Sequence, residues 1–231
     1  MIAIHLSHPY YGCPRMKIAL QEEGIYLNHK RVYRLMKNLD IQSVIRKKRR
    51  YFGQSGSVLF PNRLNRQFEA KGPGQIFVTD ITYVSAGDRF YYLSAVQDLF
   101  NNEVVAWSLS RRNDVALVMD TLSELAIKKD VYGAVIHSDQ GFQYTSKRYN
   151  KRIEEYGMKG SHSRKGNCLD NACIESFFSH LKTEKLYLHQ CKTEQELDQA
   201  IQDYMYYYNY QRFQKKLNQR APIEYRSALA A

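Results

Sequence analysis

The chain has 231 residues, of which 44% are hydrophobic, and it carries a formal net charge of +11 at pH 7. A chain of this length can bury a core of moderate size and still hold a second, smaller domain. No apolar run approaches the roughly 18 residues of a membrane span and no signal-peptide pattern opens the chain, so the composition excludes a membrane partner and predicts a cytoplasmic protein.

The positive charge is concentrated at the front of the chain. Residues 1–73 contain fourteen Lys and Arg against four Asp and Glu, whereas residues 74–231 are close to neutral. Neutralisation of phosphates supplies most of the non-specific affinity of proteins for DNA. The front segment therefore predicts a nucleic-acid partner, although a solvated basic tail would have the same charge.

Residues 1–45 have the pattern of two short helices. Pro14 can open the first helix, which Gly24 ends, and Asn28 caps the second. The second helix has apolar residues on one side and basic residues on the other. This outline fits a helix-turn-helix-like DNA-binding segment, although an ordinary helical hairpin with a solvated basic face shares it. Its candidate DNA contacts are Lys30, Arg31, Arg34 and Lys37.

Residues 46–73 read as a basic linker. Five consecutive like charges repel one another and seldom form a packed element, so we expect them to lie along a phosphate backbone. The remainder of the segment has little periodicity and contains prolines and glycines, which is typical of a connection between domains. The candidate DNA contacts of this linker are Arg46, Lys47, Lys48, Arg49 and Arg50.

A catalytic core is predicted over residues 74–190. Residues 76–84, 90–97 and 104–110 are rich in β-branched and aromatic residues and are separated by turn signals, which predicts an antiparallel meander. A helix that ends near Lys128 then leads to a fourth strand over residues 134–138. A strand that follows a crossover helix usually pairs in parallel. Pairing beside the first strand would give a ribonuclease-H-like arrangement.

Three acidic residues in this core predict a magnesium site. Asp80 lies inside the first strand, Asp139 follows the fourth, and Glu175 comes 35 residues after Asp139. A charge inside a β-rich run is costly unless it is paired or binds a metal. Two hard divalent cations held by carboxylates can stabilise both the attacking and the leaving oxygen of a phosphodiester displacement. The three acids therefore indicate phosphodiester cleavage or transfer.

The helix that contains Glu175 has a polar face that could point into the site. Asn171, Glu175 and Lys182 share one side of the helix predicted over residues 171–182, away from its apolar side. A single glutamate on such a face would ordinarily be a solvated surface group, and its importance depends on the other two acids. Residues 161–167 are predicted to form a basic loop that grips the phosphate backbone through Arg164 and Lys165. Asp170 is assigned to helix capping.

Residues 191–231 are predicted to form a C-terminal helical arm. A polar and aromatic helix spans residues 193–210 and contains five tyrosines. Core packing and base stacking are commoner uses of such tyrosines than nucleophilic attack, and no Arg and His cluster of the recombinase kind accompanies them.

The stretches that hold the three acids resemble one family. DITYV contains Asp80, HSDQGFQYTS contains Asp139, and SRKGNCLDNACIESFFSHLKTE contains Glu175. Together with YYNYQR and LNQRAPIEY in the tail, and YGCPRMKIALQEEG and NHKRVYRLMK at the front, they resemble the OrfB-type transposases of bacterial insertion sequences. Those proteins have a DDE integrase core similar to that of retroviral integrases. Phe77 stands where the family usually has Trp, and His162 stands where it usually has an apolar residue.

This resemblance implies an α/β fold with a ribonuclease-H-like integrase core, a mixed five-stranded sheet with flanking helices, after a small helix-turn-helix-like segment. It implies a transposase that cleaves element ends and transfers the 3′-hydroxyl to target DNA, with Mg²⁺, or Mn²⁺ as a substitute, bound as two ions by Asp80, Asp139 and Glu175. The implied partners are the terminal repeats and target DNA on the bacterial nucleoid, further copies of the chain on DNA, and the OrfA protein or a fused OrfAB form.

Two other readings stay open at the level of sequence. A non-catalytic regulator derived from a transposase would bind DNA and form mixed oligomers without cleaving it. A structure-specific nuclease of the same fold would cut DNA but would not join it. Metal-dependent cleavage separates the regulator from both enzymes, and attack by a DNA 3′-hydroxyl separates the transposase from the nuclease.

Overall fold

A computed structural model of the chain describes residues 1–44, 59–64, 70–163 and 171–230. It divides into two compact units. The smaller contains Met1–Arg50 and Ser179–Gln190, and the larger contains Tyr51–Phe178 and Cys191–Ala231. The basic run at residues 46–50 and the loop residues Arg164 and Lys165 lie outside the described residues.

The smaller unit is helical. Helices α1 (Ile2–Ser7), α2 (Cys13–Glu22) and α3 (His29–Asn38) form it together with a π-helical turn at Lys182–Leu186. The predicted cap of α3 is confirmed, since the Asn28 side chain accepts a hydrogen bond of 2.9 Å from the Arg31 N–H. Apolar residues at helical spacing on α2 and α3 meet in a small core made of Met16, Leu20, Val32, Met36 and Ile41.

The larger unit is built on a mixed five-stranded sheet, as expected. The strands are β1 (Ile76–Ala86), β2 (Arg89–Asp98), β3 (Val104–Ser110), β4 (Val135–Ser138) and β5 (Lys159–His162). Their order across the sheet is β3-β2-β1-β4-β5. The first three strands form the predicted antiparallel meander, and β4 pairs in parallel with β1. This parallel pair is the expected result of a crossover through a helix.

Helices flank the sheet. They are α4 (Val115–Lys128), α5 (Lys147–Glu155), α6 (Ala172–Leu181), α7 (Glu194–Tyr210) and α8 (Pro222–Ala230). Helix α4 packs against β2 and β3, and α7 packs against β1 and β3. The main buried cluster lies between the sheet, α4 and α5, and includes Phe77, the residue at the usual tryptophan position. No helix among the described residues is long and apolar enough to cross a bilayer.

The C-terminal helix α7 is fixed to the sheet by its polar side chains as well as by its tyrosines. Asn209 accepts a hydrogen bond from the Val104 N–H and donates one to the Val104 carbonyl, each 2.9 Å long. Tyr208 accepts a hydrogen bond of 3.0 Å from the Gln97 side chain. Tyr204 and Tyr208 are buried, so core packing accounts for these two tyrosines.

One sequence prediction about the fold is wrong. Ser161 and His162 were placed in a loop, but they belong to β5, which pairs in parallel with β4. The free edge of β5 is covered by residues 59–64, where the Phe60 N–H donates to His162 Nδ1 at 2.9 Å. A side chain at Gly160 would overlap the Phe60 ring, so the close approach requires glycine there.

Candidate active site

Two of the three predicted acids lie on neighbouring parallel strands, Asp80 within β1 and Asp139 directly after the end of β4. In the β1–β4 pair, Ile76 stands opposite Val135 and Val78 stands opposite His137. Continuing the same parallel register by two residues places Asp139 opposite Asp80. The prediction that the fourth strand would deliver Asp139 beside Asp80 depended on this pairing, which the structure confirms.

A single pocket contains both carboxylates. Its volume is about 170 Å³, enough for several water-sized groups or a hydrated ion. Its walls come from β1, β2, the turn before α4 and the segment after β4. The lining residues are Asp80, Ile81, Tyr83, Tyr92, Asn113, Asp139, Gly141, Gln143 and Tyr144.

Backbone amides orient both carboxylates. Asp80 Oδ1 accepts a hydrogen bond of 2.8 Å from the Ile81 N–H, and Asp139 Oδ1 accepts one of 2.8 Å from the Gly141 N–H. A Cβ atom at Gly141 would lie 3.0 Å from both Asp139 Oδ1 and Gln143 Oε1. Glycine at this position therefore lets the chain turn tightly around the Asp139 carboxylate.

Burial dominates the electrostatics of the pocket. It raises the pKa of Asp139 above its ordinary value, and the hydrogen bond from Gly141 offsets only part of that rise. Tyr144 is fully buried, and its pKa is raised well above the ordinary value, first by burial and then by the charge of Asp80. Both shifts show that negative charge is poorly solvated here. A bound cation would reverse that cost.

Sequence reasoning did not assign three of the polar residues in this pocket to the site. Gln143 donates a short hydrogen bond to the side chain of Asn113, which connects the segment after β4 to the turn before α4. The Tyr144 hydroxyl lies 3.4 Å from Thr79 Oγ1, next to Asp80 in sequence. Gln143 and Tyr144 lie in the motif that contains Asp139, and that proximity in sequence was the signal that could have identified them as site residues. Asn113 had none beyond its place before a helix cap.

The third acid lies on α6. Glu175 is on the exposed side of the first turns of that helix and does not line the pocket. In the part of the chain that the structure describes, no group of three His, Cys, Asp or Glu side chains is placed to hold a metal. The start of α6 is nevertheless attached to β1, because Asn171 Nδ2 donates to the Thr79 carbonyl at 3.4 Å.

The predicted DNA contacts are found in different environments. On α3, Lys30, Arg31, Arg34 and Lys37 are all exposed, with the apolar side of the helix turned inward. Asn171 is buried at the start of α6, and Lys182 is buried in the smaller unit. The exposed face of α3 is therefore a basic surface of the smaller unit.

Family models match most of the chain. A model described as an integrase core domain matches residues 70–168, and a second integrase core model matches residues 175–229. A model described as an HTH-like domain matches residues 1–49.

Curated proteins that match the chain over most of its length are described as transposases. A putative transposase InsK for insertion sequence element IS150 from Escherichia coli K12 is 43% identical, covering 96% of this chain and 80% of that protein. An uncharacterized transposase-like protein from Haemophilus influenzae is 38% identical over 89% of this chain and 95% of its own length. The transposase for IS904 from Lactococcus lactis is 35% identical over 93% and 87%.

Solved structures share the fold at low sequence identity. The HTLV-2 integrase catalytic core domain in complex with magnesium aligns with a TM-score of 0.52 and 19% identity, covering 68% of this chain and 98% of that chain. A chain of the simian T-cell lymphotropic virus intasome in complex with PP2A regulatory subunit B56 gamma aligns with a TM-score of 0.59 and 16% identity, covering 91% of this chain and 70% of that chain. The larger unit is thus an integrase-type, ribonuclease-H-like core.

Proposed function

This chain belongs to the integrase-core transposases of bacterial insertion sequences, and we propose that it cleaves phosphodiester bonds at the ends of its element and joins the freed 3′-hydroxyl to target DNA. The observation that carries this proposal is that Asp80, within β1, and Asp139, just after the parallel strand β4, line one pocket. The nucleic-acid substrate is supported further by the exposed basic face of α3.

The pocket suits a hard divalent cation. It holds two carboxylates, and none of the residues described as lining it is Lys or Arg. Burial raises the pKa of Asp139, and a bound cation would offset the cost of holding two carboxylates in one pocket. We therefore propose Mg²⁺ at Asp80 and Asp139, with Mn²⁺ as a substitute and with room for two ions. When bound, such ions activate water and stabilise the charge that develops on phosphate oxygens.

Glu175 is proposed as the third carboxylate ligand. Its support is the 35-residue spacing from Asp139 and its position one helical turn after Asn171, whose amide holds the start of α6 to the carbonyl just before Asp80. Residues at i and i+4 share one helix face. This spacing supports the proposal that α6 contributes Glu175 to the carboxylate pair.

The reaction exchanges one phosphorus–oxygen bond for another at each step. Water forms a bond to phosphorus at the element end and the bond to the 3′-oxygen breaks, leaving a 3′-hydroxyl and a 5′-phosphate. That hydroxyl then attacks a target phosphodiester, whose own 3′-oxygen leaves with a proton. No energy source is consumed. A covalent tyrosyl intermediate at Tyr144 is disfavoured, because that side chain is buried and its raised pKa keeps it protonated.

The orientation of both carboxylates is fixed by the backbone. Asp80 and Asp139 are each oriented by a backbone N–H, so their oxygens keep a fixed direction as DNA enters.

We propose that α3 contacts DNA through its basic face, and that the active form on the nucleoid is an oligomer of this chain, alone or with the OrfA protein or a fused OrfAB form.

The proposal is tested with purified chain and labelled duplexes that carry the terminal repeats flanking its gene. With Mg²⁺ or Mn²⁺ we expect cleaved ends and joined products, both absent for Asp139→Asn, which should still bind the duplex. Tight binding by the wild type without cleavage, in the presence and absence of the OrfA-fused form, would contradict an enzymatic role and favour a regulator. Cleavage without joined products would favour a nuclease.

A further inference from the structure

The hairpin formed by β1 and β2 presents two large aromatic side chains beside the candidate active site. Tyr83 is 41% exposed and Phe90 is 64% exposed. Their rings meet edge to face, with centroids 6.0 Å apart. Two exposed aromatic rings side by side leave apolar surface in water, which is unfavourable unless a partner covers it.

The Tyr83 side chain lines the pocket and also belongs to the exposed aromatic pair. Tyr83 lines the pocket that contains Asp80 and Asp139, as does Tyr92, its register partner across the hairpin. Phe90 lies two residues before Tyr92 on the same face of β2, but it is not among the lining residues. The aromatic surface therefore runs continuously from the pocket towards the end of the hairpin.

This aromatic surface is held rigidly. The β1–β2 ladder is regular from Phe77 opposite Asp98 to Ala86 opposite Arg89. At the hairpin end, the Gly87 N–H donates a hydrogen bond of 2.9 Å to the Cys191 carbonyl. The backbone that carries the two rings is consequently fixed before any ligand arrives, which lowers the entropic cost of binding to them.

We propose that Phe90, whose ring Tyr83 contacts edge to face, forms a stacking platform for an unpaired nucleobase next to the scissile phosphate. This inference rests on the proposed function, because it places that phosphate in the Asp80 and Asp139 pocket. A strand that bends to bring its phosphate into the pocket loses the stacking of the neighbouring base, which costs free energy. An aromatic face compensates the base for its lost neighbours and accepts any of the four bases.

The size of the surface argues for a base as its occupant. Two rings offer far less area than the roughly 800 Å² per partner of a stable protein interface. A nucleobase matches that area, and a DNA strand with its phosphate in the pocket would carry its base past Tyr83. The platform would therefore assist cleavage without recognising sequence.

The test uses Phe90→Ala, because Phe90 lies outside the pocket. On a fully paired element end at saturating protein, we expect cleavage about tenfold slower than wild type. A single mismatch beside the scissile phosphate should restore most of that rate, because the base is then already unpaired. Phe90→Trp should keep the wild-type rate. Tyr206→Ala, which removes a ring that is 59% exposed on α7, is the matched control and should change neither rate.

A binding measurement separates the platform from the chemistry. Wild type should bind an end with an unpaired base about tenfold more tightly than Phe90→Ala does, whether or not cleavage occurs. Equal affinities would overturn the platform, as would an equal loss of cleavage rate on paired and mismatched ends, which would indicate a structural role. If the wild type bound such ends through Phe90 but never cleaved them, the proposed function would fail while the platform stood.

Discussion

The two sides of the candidate active site are built by different means. On the sheet side, Asp80 and Asp139 are fixed by the register of β1 and β4, by backbone amides and by burial. On the helix side, Glu175 depends on how α6 is attached, through the hydrogen bond from Asn171 to Thr79 and the ring contacts of Phe177 with α7. The parallel pair of β1 and β4 thus preassembles two of the proposed ligands, whereas the third, Glu175, depends on the position of one helix.

The largest effects are expected when the carboxylates themselves are changed. Asp80→Asn and Glu175→Gln should each lower cleavage by at least about a thousandfold, because a charged ligand is worth several kcal/mol at such a centre. Because only the sheet side is preassembled, we expect the two variants to differ in metal binding before DNA binds. Asp80→Asn should abolish Mn²⁺ binding by the free protein, measured calorimetrically, and Glu175→Gln should weaken it only slightly. Equal losses in the free protein would mean that all three acids are already assembled.

A smaller effect is expected at the attachment of α6. Asn171→Ala removes the side-chain bond to the Thr79 carbonyl without touching any carboxylate. Outer contacts that orient metal ligands typically contribute 10–100-fold, so we expect cleavage to fall by about that factor with DNA affinity unchanged. Asn171→Asp serves as the control, because it keeps the size but cannot donate. Wild-type activity in both variants would show that α6 needs no such attachment.

The sheet side can be weakened through β5, which supports β4 from its outer edge. Gly160→Ala should lower the free energy of unfolding by about 1–3 kcal/mol, because the new methyl group overlaps the Phe60 ring. Chemical denaturation measures this change. In a Phe60→Ala background the same substitution should cost little, which a double-mutant cycle would report as coupling. If the two substitutions lowered the free energy of unfolding additively, the cost of Gly160→Ala would not come from overlap with the Phe60 ring.

The smallest effect is a pH dependence at the same edge. Burial lowers the pKa of His162 below the ordinary value of 6.5, although a hydrogen bond with the Tyr144 backbone acts in the opposite direction. Its Nδ1 must stay unprotonated to accept from the Phe60 N–H. Docking of residues 59–64 should therefore be complete above about pH 6.5 and weaken as pH falls from there towards the lowered pKa, since the undocked state binds the proton more readily.

Amide hydrogen exchange at Phe60 measures this docking directly. After correction for the intrinsic pH dependence of exchange, protection in the wild type should decrease as the pH falls below about 6.5. His162→Gln keeps an acceptor that does not titrate, so its protection should be flat over that range. A parallel decrease in both proteins would assign the effect to another group.

Sequence reasoning predicted the sheet side better than the helix side for physical reasons. The strands β1 to β3 are marked by β-branched and aromatic residues, and the crossover before β4 fixes a parallel pair, so the meeting of Asp80 and Asp139 follows from local pattern and chain topology. The contacts of Asn113 and Asn171 join segments distant in sequence. No periodic pattern in the sequence predicts such contacts.

The strand β5 shows why one prediction was wrong. Its sequence, Lys-Gly-Ser-His, has neither β-branched residues nor an apolar alternation. It forms a strand because it pairs with β4 and because Phe60 covers Gly160, and both interactions are tertiary. The same residues, read locally, are typical of a loop.

Metal-specific rescue at Asp139 tests the central claim most directly. In Asp139→Cys a thiolate replaces the carboxylate, and thiolates bind softer ions in preference to Mg²⁺. We predict that this variant cleaves element ends with Mn²⁺ or Cd²⁺ and not with Mg²⁺, while the wild type is active with Mg²⁺. Activity with Mg²⁺ in the variant, or wild-type cleavage that needs no divalent ion, would contradict the assignment of Asp139 as a metal ligand.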